Sequence, residues 1–360
     1  MKIMVGMSGG VDSSVAALLL KEEGHEVIGA TMSIWDKNKK LPSLASGTCK
    51  DACYGPNEAE DIEAARHICS EIGIEYYVFD CVEQYEKIVL DNFKKEYLSG
   101  RTPNPCIWCN SLIKFDVLPF IAKKSGLEFD KFATGHYARV IFDEKIQRFT
   151  LRKGINPKKD QSYFIYRLRQ DQLANIIMPL GSYTKEQIRK IAKDKGLTVH
   201  DKPDSQDFYG GDYNELLGIS PKEGNIVDLK GNILGKHQGV WNYTIGQRKG
   251  IGIAHESPLY VIKLDSEKNE LVVGEIDNTF KKSLTAIDIN WVSVDKITEE
   301  KEVSVKYRSA QTPVEAVIKP FNGDVIVEFK EYQKSIAPGQ SVVFYDDDLL
   351  LGGGIIEKVN

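Results

Sequence analysis

No stretch of this chain offers the roughly eighteen consecutive apolar residues that a membrane-spanning helix needs, so no membrane partner is expected. Basic charge is also in short supply. The 47 lysines and arginines are outnumbered by 52 aspartates and glutamates, for a net charge of −5. A nucleic-acid protein can be acidic overall if its cations gather on one face, but global charge gives no argument for RNA. Cysteine is sparse, six in 360 residues, and none follows Cys109. Such a set argues against the disulfide framework of small secreted domains and for thiols kept reduced for catalysis or metal binding. Internal repeats and low-complexity segments are absent. Met1 to Gly6 runs directly into a glycine-rich loop without a long apolar core or cleavage site, so secretion is not expected and a cytoplasmic protein is.

What is present reads as an ordinary soluble balance, 42% hydrophobic and 28% charged, in a length that suggests two or three domains. Expected strands at Lys2–Val5, Glu26–Ser33, Glu75–Asp80 and Lys131–Thr134 alternate with helical spacing at Val15–Glu23, Glu58–Ile72, Gln84–Leu98, Phe115–Lys124 and Lys185–Lys195. That alternation implies an α/β fold with a parallel sheet. Lys37–Ser43 is expected to be a mobile loop, and Cys69 and Cys81 to be core residues. After about residue 205 glycine becomes frequent, and from Leu284 onward the chain reads as short strands only, suggesting a small barrel or sandwich. The expected domains are 1–205, 206–280 and 281–360.

The strongest motif is Gly6-Met7-Ser8-Gly9-Gly10-Val11-Asp12-Ser13-Ser14, between a strand and a helix. Its glycines allow close backbone approach to an anion, and the helix start offers unpaired N–H groups to phosphate. Asp12 is out of place in an anion site unless a cation is nearby, and Mg²⁺ carried by ATP would supply one. The Gly-Lys-Ser/Thr ending of a Walker loop is absent, which disfavours a kinase or GTPase.

Cys106-Ile107-Trp108-Cys109 follows Thr102-Pro103-Asn104-Pro105. A thiol near a helix start is expected to have a lowered pKa and to act as nucleophile or ligand. The spacing also suits half of a zinc or iron–sulfur site. Ala133-Thr134-Gly135-His136-Tyr137-Ala138-Arg139 places Gly135 where a ring or ribose could approach. Lys159-Asp160-Gln161 follows a basic run from Arg152 and could meet RNA phosphate.

These motifs resemble, in order, those of the tRNA-specific 2-thiouridylases, the MnmA/TrmU family of the ATP pyrophosphatase (PP-loop) superfamily. The likeness continues through Lys202-Pro203-Asp204-Ser205-Gln206, His237-Gln238-Gly239 and Thr244-Ile245-Gly246-Gln247-Arg248-Lys249-Gly250. It implies a PP-loop parallel-sheet domain, a small central tRNA-binding domain and a C-terminal β-barrel. It implies ATP-dependent 2-thiolation of the wobble uridine of tRNA through an adenylated intermediate. By the resemblance Gly6, Met7, Ser8, Gly9, Gly10, Val11, Asp12, Ser13, Met32 and Gly135 hold ATP. Asn104, Pro105 and Cys106 meet the target base, and Cys109 is the first catalytic cysteine. Lys159, Asp160, Gln161, Lys306 and Tyr307 touch tRNA of the Lys, Glu and Gln type. The sulfur donor would be a protein such as a cysteine desulfurase or a sulfur relay. Other classes that share the loop are an ATP ligase, a different PP-loop tRNA-thiolating enzyme and a non-catalytic tRNA-binding relative.

The chain departs from the family at one point. A second cysteine is expected shortly after the Asp-Ser-Gln segment, and Tyr209 stands there instead. Two schemes replace it. Cys106 and Cys109 form a redox pair, or Cys106 and Cys109 with Cys49 or Cys53 hold a [4Fe–4S] cluster, as related thiolating enzymes do.

Overall fold

A computed structural model describes residues 1–39, 41–44, 52–202 and 207–360. The first strand, β1 (Lys2–Gly6), buries Ile3, Met4 and Val5 completely. A strand apolar on both faces belongs in the middle of a covered parallel sheet. It is flanked by β2 (Glu26–Ser33) and β4 (Lys131–Ala133), with β3 (Glu75–Asp80) beyond β2. The short β7 (Ile176–Ile177) completes the order β3-β2-β1-β4-β7. All its pairings are parallel, in registers such as Met4 to Ile28 and Val5 to Ala133. The helices α1 (Val11–Glu22) and α2 (Glu58–Ile72) cover one face through Val15, Ala17, Leu20, Ala65, Ile68 and the buried Cys69. Gly73 ends α2 in the left-handed conformation, φ 72°, where glycine carries no steric cost.

The Gln84–Leu98 helix is observed as a continuous run over 82–98, and the Phe115–Lys124 helix begins ten residues earlier, at Pro105. Pro105 sits at the first helical position, where its fixed φ suits the turn and its absent N–H costs nothing. From Cys109 to Val117 the helix widens to i→i+5 bonding, a form frequent at functional sites. Pro105–Lys124 is long and apolar enough on composition alone to cross a membrane, against the sequence expectation. Here it is a core helix: Ile107, Ile113, Phe115, Leu118 and Ala122 pack with Phe132, Tyr163 and Ile165.

An antiparallel hairpin that the sequence reading did not foresee follows, β5 (Ala138–Asp143) and β6 (Arg148–Lys153). The central unit is a four-stranded sheet of β8 (Gly224–Val227), β9 (Ile233–His237), β10 (Tyr260–Asp265) and β11 (Glu270–Gly274). The C-terminal strands are β12 (Phe280–Trp291), β13 (Lys301–Lys306), β14 (Val314–Phe321), β15 (Asp324–Lys334), β16 (Ser341–Asp346) and β17 (Leu349–Val359). They run in the order β12-β15-β14-β13-β16-β17, and β17 pairs back to β12 and closes a barrel. The hairpin extends that sheet, because β17 also pairs with β6 at Leu349 to Arg152 and Leu350 to Leu151. The first and last domains are therefore joined by backbone hydrogen bonds. At the end of the expected mobile loop, 42–44 form a short 3-10 turn that runs one residue past it, and Ser43 donates its N–H to the Glu215 carboxylate at 2.9 Å; Lys40 lies outside the described residues.

Candidate active site

In an open parallel sheet, ligands sit beyond the carboxyl ends of the strands where the strand order reverses. Here that place lies between β1 and β4, whose following loops are Met7–Gly10 and Thr134–Tyr137. The phosphate loop is shaped by its own hydroxyls. Ser8 donates its N–H to Ser13 Oγ at 3.1 Å, and Ser14 donates its hydroxyl to Gly10 O at 2.7 Å. Gly9 has φ 68°, and a Cβ there would meet Asp61 O at 2.6 Å, so only glycine fits. Gly10 caps α1 without a side-chain acceptor, which leaves the first-turn N–H groups for an anion. Met32 lies near the carboxyl end of the neighbouring strand β2.

Two of the expected ATP-site residues have partners within the protein. Gly135 was expected to leave room for a ligand ring, but a Cβ there would lie 2.7 Å from Asp12 C and 2.8 Å from Ser13 N. Its smallness admits the start of α1, which locks the β4 loop to the phosphate loop. Asp12 was expected to face Mg²⁺. In the protein alone Lys185 Nζ donates to both its oxygens at 2.8 Å, and Tyr137 Oη donates to Oδ1 at 2.7 Å. Lys185 is almost fully buried, so its charge needs that carboxylate. Lys202 donates to Gly9 O at 3.1 Å and to Asp61 at 2.8 Å. The phosphate loop thus has two lysines beside it. Sequence reasoning gave neither this role: Lys185 is only the first residue of an amphipathic helix, and its partner is 173 positions away.

The thiol helix is held by the barrel. Arg101 donates to Glu96 at 2.7 Å, to Glu357 at 2.6 Å and to Ile356 O at 3.2 Å, while Thr102 donates its N–H to Pro338 O at 2.8 Å. Asn104 stands at the N-cap and Pro105 is buried, so Asn104 and the half-buried Cys106 remain the members of the target-base set open to a ligand. The lowered thiol pKa expected from the helix start is not found. Burial, then the Cys53 and Cys109 thiols, push Cys106 up to about 12. Burial pushes Cys109 up to about 11, with Lys114 pulling the other way and Cys53 adding to the rise. Desolvation outweighs the helix terminus.

Lys114 links the two halves of the site. It donates to Asn110 Oδ1 at 3.0 Å and exerts its charge on Cys106, Cys109 and His136. His136, hydrogen-bonded through Nδ1 to Thr134 Oγ1 at 2.8 Å, is held neutral, its pKa driven well down by burial and by Lys114. Cys53, which has no sequence signal tying it to Cys109, lies within electrostatic reach of both thiols; Cys49 lies outside the described residues. Among the described residues no three His, Cys, Asp or Glu side chains are placed to hold a metal ion. The described thiols do not form a ready cradle for a [4Fe–4S] cluster.

Most residues expected to touch tRNA have internal work. Asp160 accepts from the Gly154 and Ser162 N–H groups and the Ser162 hydroxyl, and Gln161 accepts the Tyr137 N–H at 3.0 Å. Lys306 is buried, its Nζ 5.8 Å from the Tyr163 ring centroid, and its pKa is lowered by burial despite Asp160 nearby. Tyr307 is buried too, donating to Gln333 at 3.1 Å. Lys159 alone of the five is a partly exposed cation.

The arrangement is that of an enzyme with a phosphate loop on a HUP-type α/β domain and a thiol pair presented by a barrel-braced helix. Family models agree segment by segment. The tRNA methyl transferase HUP domain matches residues 1–209, the tRNA methyl transferase PRC-barrel domain 217–275, and the aminomethyltransferase beta-barrel domain 281–356. The tRNA-specific 2-thiouridylase MnmA of Endomicrobium trichonymphae is 50% identical over 359 residues, 99% of each chain. That of Acetivibrio thermocellus is 46% identical over 364 residues, again 99% of each. The chain belongs to the tRNA-specific 2-thiouridylase family.

Proposed function

We propose that this protein converts a uridine of tRNA, the wobble base, to 2-thiouridine at the expense of ATP. The carrying observation is Lys114, whose single charge acts both on the Cys106–Cys109 pair and on His136, in the loop that packs on the phosphate loop. This supports reading phosphate chemistry and thiol chemistry as parts of one site.

ATP, with Mg²⁺ on its phosphates, lies along Gly6–Ser13. The α1 terminus and Lys185 and Lys202 stabilise charge that develops as pyrophosphate leaves. The uridine O2 attacks the α-phosphorus, which makes C2 open to displacement with AMP as leaving group. A protein-held sulfur then attacks C2. Lys114 favours the thiolate forms of Cys106 and Cys109 against their burial. A persulfide route from a sulfur-donor protein is preferred to a [4Fe–4S] cluster at Cys106 and Cys109 with Cys49 or Cys53, because it needs only thiols that lie within electrostatic reach of one another. tRNAs of the Lys, Glu and Gln type are the substrates.

The test incubates the protein with unmodified tRNA and ATP and measures pyrophosphate. Release that depends on tRNA is expected, and Cys109→Ser should keep it while losing 2-thiouridine. Release equally fast without tRNA would overturn the reading.

A further inference from the structure

We propose that Cys53 is the sulfur-carrying thiol, in place of the cysteine that the family likeness expects at position 209. This rests on the thiolation reading above. Position 209 holds a buried tyrosine, 4% exposed, packed among Tyr54, Phe208 and Tyr213 with ring centroids 6.4, 6.4 and 5.9 Å away. A phenol cannot bear a persulfide. The backbone carrying that tyrosine, however, is paired with the backbone carrying Cys53. Ala52 bridges Asp207 in parallel, Cys53 donates its N–H to Asp207 O at 3.0 Å, and Tyr54 donates to Phe208 O at 3.0 Å. Cys53 is thus brought, from a segment far away in sequence, alongside Asp207 and Phe208 in the stretch that carries position 209.

Three further observations agree. Cys53 raises the pKa of both Cys106 and Cys109 and, with them, of the buried Tyr85 hydroxyl, so the three thiols lie within electrostatic reach of one another. Cys53 is exposed whereas Cys106 and Cys109 are half-buried, the order needed for a thiol that first meets a donor protein and then hands sulfur inward. Cys69 and Cys81 are wholly buried and cannot meet a donor protein.

The chemistry balances. Cys53 thiolate attacks the outer sulfur of the donor's persulfide, breaking its S–S bond and releasing the donor thiolate. The new Cys53 persulfide, deprotonated, attacks C2 of the adenylated uridine and expels AMP, leaving a Cys53–S–S–C2 link. Cys109 thiolate then attacks the Cys53 sulfur, and the breaking bond's electron pair leaves with the sulfur on C2 as 2-thiouridine. The product disulfide, Cys53–Cys109, is returned to two thiols by an external dithiol reductant, which supplies two electrons and two protons.

The test compares wild type with Cys53→Ser, supplied with tRNA, ATP, a small-molecule persulfide and a dithiol. Cys53→Ser should keep its melting temperature, since the site is exposed, and keep tRNA-dependent pyrophosphate release while losing 2-thiouridine. Alkylation of persulfide-treated wild type followed by peptide mass analysis should find the extra sulfur on Cys53. Wild-type thiolation by Cys53→Ser, extra sulfur on Cys49 or Cys106 instead, or thiolation that needs added iron would each overturn the proposal. Wild type that releases no pyrophosphate would instead fail the functional reading on which it rests.

Discussion

The ion pair at the phosphate loop is open to a quantitative test. Lys185 is 7% exposed and Asp12 29%. Removing one partner of a fully buried pair costs about 3–5 kcal/mol, because the other charge is left without compensation. Lys185→Met leaves Asp12 partly hydrated and still hydrogen-bonded to Tyr137, so the expected loss is smaller, about 2 kcal/mol. For a domain of this size that is a fall in melting temperature of roughly 4–8 °C. Asp12→Asn keeps an oxygen for Tyr137 and Lys185 but loses the charge, for about 1–2 kcal/mol. In the double variant neither charge is stranded, so its loss should fall short of the sum by about 1 kcal/mol or more. The assay is thermal melting of the four proteins together with tRNA-dependent pyrophosphate release. Melting unchanged in both single variants, or losses that simply add, would refute the coupling.

Cys106 and Cys109 should alkylate far more slowly than Cys53 near neutral pH and speed up through the alkaline range, since the attacking thiolates are held back by pKa values of about 12 and about 11; equal rates at pH 7 would contradict the burial argument. Because these folded-state values lie above those of an unfolded thiol, their contribution to stability is full below about pH 8.5 and lost as pH rises toward the folded values, which alkaline melting curves would register. His136 works in the opposite direction: its folded pKa is depressed, so stability should fall as pH drops below about 6.5, and His136→Gln should flatten that slope in acid melts. Arg101→Ala removes the clamp to Glu96 and Glu357 and should slow 2-thiouridine formation more than it lowers the melting temperature; intact thiolation would show that the barrel does not need to brace the thiol helix. Affinity for tRNA should fall with salt, and Lys159→Ala should reduce that dependence whereas the buried Lys306, changed to Met, should not.

Where a feature was written in local pattern, the sequence revealed it. The strands β1, β2 and β3 and the helix α2 were expected within a residue of their observed ends, because their apolar runs are framed by glycine and acidic caps. The β5–β6 hairpin was not, since the end of its second strand, Arg152 and Lys153, read as the start of a basic run. Its arginines are spent on the barrel: Arg139 and Arg152 both donate to Asp348, at 2.6 and 2.7 Å. The same holds for the site. The glycines and serines of the phosphate loop announce themselves within nine residues. The pairing of Asp12 with Lys185, and of Cys53 with Asp207, joins residues more than 150 apart, and nothing in either neighbourhood encodes it. Lys306, which ends β13, and Tyr307 just after it have chemistry that suits RNA, and both are buried.

The central claim is that adenylation and sulfur transfer are two steps of one reaction on tRNA. The most direct measurement follows AMP and 2-thiouridine together in a single incubation with tRNA, ATP and a persulfide donor, the nucleoside read by mass spectrometry after digestion. The account predicts that the two rise in parallel, mole for mole, and that both stop when tRNA is withheld. Sulfur entering tRNA without AMP being formed would contradict it.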